Sequence, residues 1–189
     1  IKEIPIEELD FYIDEFQFFI DFTKRLEEDE EKVNQDAAKL IANVYDALAK
    51  KGYNANEDAI LLSRLLFCLF AEDTGIFENN QFGNYIRENT AAKTLGDHIV
   101  AIFETLNTPV KKRKHLNKEL SAFPYVNGNL FSDDIKVPPI SGSVRDALIK
   151  CCEYDWSDVS PVIFGALFQA ILKEKDRRSL GAHFTSEKN

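Results

Sequence analysis

NEDAILLSRLLFCLFAEDTG, Asn56 to Gly75, decides the fold. From Ile60 to Phe70 it is apolar on nearly every side, interrupted by Ser63 and Arg64. A helix with apolar side chains all round belongs in the middle of a core. Asn56 is suited to cap the first free N–H groups. Glu57 and Asp58 in the first turn suit the positive end of the helix dipole. Gly75 ends the segment. Glu72 and Asp73, just before it, oppose the negative end of the same dipole and need compensation. The expectation is a structural role for this pair, with Arg64, Arg87 or a basic residue of another domain as partner.

Reading outward toward the C-terminus, Gln81 to Asn89 is a shorter amphipathic helix. Thr94 to Leu106 is another, with Leu95, Ile99, Ile102, Phe103 and Leu106 on one face, and Pro109 stops it. Ser121 to Pro139 is loop-like, with a short hairpin around Asn127-Gly128 as the alternative. Ser143 to Cys152 is helical, and Trp156 is expected to be a packing anchor. Ser160-Pro161 starts a last helix, with Ile163, Phe164, Leu167, Phe168, Ile171 and Leu172 on one wide face. Toward the N-terminus, Val33 to Lys51 carries Ala37, Leu40, Ile41, Val44 and Leu48 at helical spacing and ends at Gly52. Glu7 to Leu26 repeats the pattern with Leu9, Tyr12, Ile13, Phe16, Phe19 and Ile20. The acidic run Glu27 to Lys32 between them is a solvated turn or helix start, which predicts an antiparallel pair. Strand-type alternation is scarce. The fold class is mostly α: a single compact helical bundle of about six to eight helices, with a loop or short hairpin near 121–140.

The chain has 189 residues, 44% of them hydrophobic and 29% charged, which places it among ordinary globular proteins. Its apolar runs are too short to span a membrane, and the charged N-terminus is no secretory signal. Three cysteines, two of them adjacent, make a poor disulfide framework and point to the cytoplasm. There is no methionine, so a piece of a longer chain is expected. The net charge of −9 argues against a main DNA clamp, because neutralising phosphates needs cations. One dense basic run departs from that balance: Lys111, Lys112, Arg113 and Lys114. It suits non-specific backbone phosphate contact, against the plainer reading of a solvated loop. Arg177 and Arg178, at the end of the last helix, are read the same way after their role at the helix dipole.

Three stretches together carry a resemblance: RLLFCLFAEDTGIF (Arg64 to Phe77), FPYVNGNLF (Phe123 to Phe131) and SPVIFGALFQAILKEKDRRSLGAHFTSEKN (Ser160 to Asn189). In this order they resemble the region just ahead of the catalytic domain in MmeI-like restriction–modification enzymes. These are large adenine-specific DNA methyltransferases with fused nucleases. The resemblance implies that residues 1–180 form a helical spacer, with an N-terminal helix pair (1–55) and core helices (56–180). Residues 181–189 would begin the methyltransferase domain. It implies a parent protein that transfers a methyl group from S-adenosylmethionine to adenine N6, and that uses Mg2+ where a nuclease is fused. The parent would act on DNA, and this piece would adjoin the methyltransferase and any nuclease domain. Phe184 and Thr185 would lie beside the methionine part of the cofactor in the intact protein. There a glycine permits close approach, an aromatic ring walls the sulfonium and a hydroxyl bonds the carboxylate.

The residues that would do chemistry are not in these stretches. Lys136-Val137-Pro138-Pro139-Ile140 has two prolines, but lacks the amide or acid before them and the aromatic after them that a flipped adenine requires. No glycine-rich cofactor loop appears. Glu30-Glu31-Lys32 reads as a solvated face rather than a nuclease centre. Cys68, Cys151, Cys152, His98, His115 and His183 lack zinc-ligand spacing, and Cys68 is expected in the core. No catalytic or metal-binding residue is therefore expected in this piece, nor a cofactor held by it alone. A stand-alone helical protein-interaction module is the competing reading. Glu72 and Asp73 as a relay of DNA contact to a catalytic domain is a lesser one.

Overall fold

A computed structural model describes residues 17–49, 55–126, 128–133, 135, 137 and 140–172. The long apolar segment does become the hub. It forms α2 (Ala55–Asp73), which packs against α1 (Gln17–Ala49), α3 (Gln81–Asn89), α7 (Pro161–Leu172) and a 3-10 turn at Trp156–Asp158. Leu61, Leu62, Leu65, Leu66, Cys68, Leu69 and Ala71 are all buried, which accounts for apolar side chains around the whole circumference. α4 (Leu95–Asn107) packs on α5 (Lys118–Ser121), and α6 (Gly142–Cys151) lies against α1 and α3. The described residues hold seven α-helices and no strand, as a mostly α bundle requires.

One expectation is corrected. The acidic run Glu27 to Lys32 makes no turn, because α1 is one helix of 33 residues through it. Between Gln17 and Ala49 there is neither glycine nor proline, and glutamate and lysine are good helix formers. A charged stretch alone breaks nothing. The N-terminal part of the expected pair, before Gln17, lies outside the described residues. The segment near 121–140 is the loop expected: its described residues after Ser121 form no strand. Ser132 closes a turn there, its N–H and Oγ both donating to the Asn129 carbonyl at 3.3 and 2.8 Å. Asn127 itself lies outside the described residues.

The last helix begins as its sequence predicts. The Ile163 N–H donates to Ser160 Oγ at 3.3 Å, and Pro161 takes the first helical position. Phe164 then stacks on Phe70 with centroids 4.4 Å apart, fastening α7 to α2.

Polar side chains hold the helix ends together. Asn80, before α3, sits in the left-handed region at φ 55° and gives no side-chain cap. Glu72 supplies one from α2, its Oε2 accepting the Gly83 N–H at 2.9 Å. Arg145 of α6 holds the other end of α3. Its Nη2 donates to the carbonyls of Ile86 and Arg87 at 3.3 and 3.2 Å, and its Nε to Thr90 Oγ1 at 3.2 Å. Anion at the N-terminus and cation at the C-terminus both complement the dipole of α3. Asp73 Oδ2 accepts the Trp156 N–H at 2.7 Å, while the indole Nε1 donates to the Cys151 carbonyl at 2.8 Å. Trp156 is thus a buried anchor tied at two points. The acidic pair has the structural role expected of it, through backbone N–H partners, with the Arg87 charge also favouring the Glu72 carboxylate.

Arg64, 2% exposed, is the other polar member of the hub. Its Nε and Nη2 donate to the carbonyls of Leu130 and Asp133 at 2.8 and 2.7 Å. Its guanidinium lies 5.6 Å from the Phe103 ring and 5.7 Å from that of Phe131. A charge buried in this way is tolerated because it has hydrogen-bonded partners and aromatic faces. The same contacts fix the loop that follows α5.

Candidate nucleic-acid interface

The basic run follows directly from the end of α4. Leu95, Ile99, Ile102, Phe103 and Leu106 are buried and fix that helix. Pro109 cannot continue it and keeps Thr108 extended, at φ −104° and ψ 118°. The chain then makes a 3-10 turn, Val110–Lys112, closed by Lys112 N–H to the Pro109 carbonyl at 2.7 Å.

Here the four consecutive cations part company. Lys111, Lys112 and Lys114 are exposed, but Arg113 is half-buried and turns back under the loop. Its Nε donates to the Thr108 carbonyl at 2.9 Å and its Nη2 to Thr105 at 2.9 Å. Its Nη1 reaches the carbonyls of Phe123 at 2.6 Å and Ser121 at 3.2 Å. Thr105 lies in the last turn of α4 and Thr108 caps it, its N–H donating to the Thr105 carbonyl at 3.1 Å, so these carbonyls carry the negative end of the dipole. Burial pushes the Arg113 guanidinium down from its usual value. His115 then adopts φ 59°, a left-handed conformation that side chains other than glycine rarely take. This reverses the chain, so that Leu116 is half-buried and Asn117 caps α5, its Oδ1 accepting the Leu120 N–H at 2.8 Å.

The result is a short loop, pinned from beneath, that sends three ammonium groups into solvent. Ammonium groups on flexible stems act on phosphate as point charges. The arrangement suits sequence-independent contact with a polyanion. The opposite charge gathers elsewhere. A cleft of about 500 Å³ is lined by Glu72, Asp73, Glu153 and Asp155 together with Tyr154 and Cys152. Burial pushes the carboxyls of Glu72 and Asp73 above their ordinary range. The lysine loop shares no residue with that acidic cleft.

Phe184, Thr185, Arg177 and Arg178 lie outside the described residues. Among the described residues, no group of three or more His, Cys, Asp or Glu side chains is placed to hold a metal ion. None of their helices is long and apolar enough to cross a membrane. The inward turn of Arg113 was not visible in a run of four like charges. The signal that could have found it was the stop at Pro109, which leaves the carbonyls of α4 in need of donors.

Comparison with known proteins places the helical region. Residues 56–131 match the family model described as the MmeI helicase spacer domain. This hub of α2 to α5 and the loop after them is an MmeI-like spacer region. The chain is 36% identical to DNA methyltransferase A of Bacillus subtilis, over 99% of its own length and 22% of that protein's. It is 27% identical to a putative type II restriction enzyme and methyltransferase of Methanocaldococcus jannaschii, over 68% of this chain and 13% of that one. Among solved structures it resembles the type IIL restriction–modification enzyme MmeI in complex with DNA, with a TM-score of 0.65 and 46% identity. That match covers 81% of this chain and 21% of the enzyme. The chain thus spans about a fifth or less of the length of these relatives.

Proposed function

We propose that this chain is the helical spacer of a cytoplasmic restriction–modification protein whose whole length methylates adenine N6 in DNA. In this reading it is a connector. It holds the methyltransferase module, and a nuclease module where one is fused, at fixed separation and orientation on the duplex. The observation that carries the reading is the match of residues 56–131 to the spacer model, on helices whose ends are tied to one another by Glu72, Asp73, Arg64 and Arg145. A connector must resist bending, and side chains that cap neighbouring helices serve that end. The likeness to much larger modification proteins does not favour the stand-alone interaction module.

The domain division follows from the same reading: spacer through residue 180, methyltransferase from 181. S-adenosylmethionine would be held by the protein beyond the spacer, with Phe184 and Thr185 at its methionine end. Mg2+ would serve a fused nuclease. DNA is the partner, with Lys111, Lys112 and Lys114 assigned to backbone phosphates. Arg177 and Arg178 are assigned to phosphates as well.

The test is methyl transfer by the full-length protein, followed with isotope-labelled S-adenosylmethionine on duplex DNA. Label in N6-methyladenine is the expected result. Failure both to bind the cofactor and to label any duplex would overturn the assignment.

A further inference from the structure

We propose that Arg113 is a positioning residue: it touches no phosphate itself, and its four carbonyl bonds hold the loop in the shape that presents Lys111, Lys112 and Lys114 to one stretch of DNA backbone. This rests on the reading of the chain as part of a DNA-acting protein, and it divides the basic run into three contacts and one lock.

The donor inventory supports the division. A guanidinium has five N–H groups in a fixed fork. Four of those of Arg113 already meet carbonyls: Thr108, Thr105, Phe123 and Ser121. A two-pronged grip on a phosphate needs a free pair of parallel N–H groups, and one remains. The carbonyls come from both sides of the loop, two from the end of α4 and two from the end of α5 and just beyond. Arg113 therefore closes the loop at its base. The left-handed His115 adds a second constraint on the same few residues, and such conformations persist where the surrounding structure holds them in place. Between these two constraints the lysines leave the surface from neighbouring backbone positions.

Presentation matters energetically. Lysine stems lose rotamer freedom on binding, and a loose loop would add its own backbone entropy to that cost. A loop ordered before contact avoids the second part. Lysine cannot replace Arg113 here, since a single ammonium does not span four carbonyls.

The experiment measures binding of the full-length protein to a duplex of arbitrary sequence by fluorescence anisotropy across a salt series. Lys111→Ser/Lys112→Ser/Lys114→Ser should weaken binding and flatten the dependence of log K on log salt by roughly 0.9 per lysine. Arg113→Lys keeps the formal charge, yet should lose affinity and flatten the slope in the same direction. Its Lys112 and Phe123 amides should exchange hydrogen faster. Arg145→Lys, an equally structural arginine at α3, is the control for general loosening and should leave the slope as in the wild type. A wild-type slope and affinity for Arg113→Lys would overturn the positioning role. So would an equal loss for Arg145→Lys. A triple lysine variant with unchanged slope would remove the phosphate contact itself, and with it the assignment on which this inference rests.

Discussion

At the scale of single residues, Gly83 is closely enclosed where it meets Glu72. A Cβ added at Gly83 would lie 3.0 Å from Arg87 Nη2, 3.2 Å from Cys152 Cβ and 3.3 Å from Glu72 Oε1. Arg87 has a flexible tip and can yield. Cys152 Cβ is fixed to its backbone, and the Glu72 carboxylate is the cap of α3. Alanine gains about 1 kcal/mol of helix propensity over glycine, whereas overpacking costs about 1–3 kcal/mol. Gly83→Ala should therefore lower stability in denaturant titration, by about 1 kcal/mol net. A more stable variant would show that the cap has room. Glu72 also has a pH signature. Burial raises its carboxyl pKa and outweighs the Gly83 and Phe82 N–H groups, which lower it. Folding thus favours the protonated acid. That stabilisation is complete below the ordinary carboxylate pKa and fades as pH rises through the raised folded value. Glu72→Gln keeps an oxygen for the Gly83 N–H and cannot ionise, so it should gain on wild type between about pH 4 and 7. A stability difference that stays constant over that range would refute the raised value. These contacts mark where residue-level reading reaches its limit. That Glu72 and Asp73 need compensation was legible from their place at a helix end. Which N–H groups answer them depends on residues 11 and 83 positions further on, and no local spacing encodes that.

Element by element, periodicity was a sound guide wherever one helix face is apolar. α3, α4 and α6 lie within a residue or two of the spans expected from their apolar spacing and stop signals, and α7 starts where Ser160-Pro161 predicts. α2 was legible for a different reason, since only a central position buries apolar side chains on every side. What misled was charge. The run Glu27 to Lys32 suggested a turn, but a turn needs residues that favour one, and glycine and proline are absent. α1 accordingly extends for roughly 50 Å at 1.5 Å per residue. Its latter part is fastened to α6 and the segment after it, where Tyr154 Oη donates to the Val33 carbonyl at 2.7 Å. Continuity makes a prediction at Glu31, whose Oε1 accepts from Gln35 Nε2 at 3.1 Å. Proline at position 31 removes a helical N–H and clashes one turn back, which costs about 3 kcal/mol inside a helix and little in a first turn. Glu31→Pro should lower stability by about that amount and reduce far-ultraviolet circular dichroism. A neutral substitution would restore the broken helix pair.

For the molecule as a whole, a connector transmits position only if it behaves as one body. The core argues that it does, because buried residues from α1 through α7 form one cluster with α2 at its centre. The three cysteines are natural reporters of this. Cys68 lies in α2, Cys151 ends α6 and Cys152 follows it, and all are buried. Burial pushes the Cys151 thiol up to about 12, and it raises those of Cys68 and Cys152 as well. Thiolate is the reactive form, so native-state modification requires opening of the structure. In single-cysteine variants, alkylation under native conditions measures the free energy of the opening that exposes each site. A bundle that opens as a unit gives Cys68 and Cys152 the same value, equal to the global unfolding free energy from denaturant. If α6 can detach from α1 and α3, Cys152 reacts at a lower free energy than Cys68. That result would show a hinge between α6 and the rest of the bundle. A hinge there is incompatible with a rigid spacer, because rotation about it would let two modules joined through this chain change their separation on the duplex.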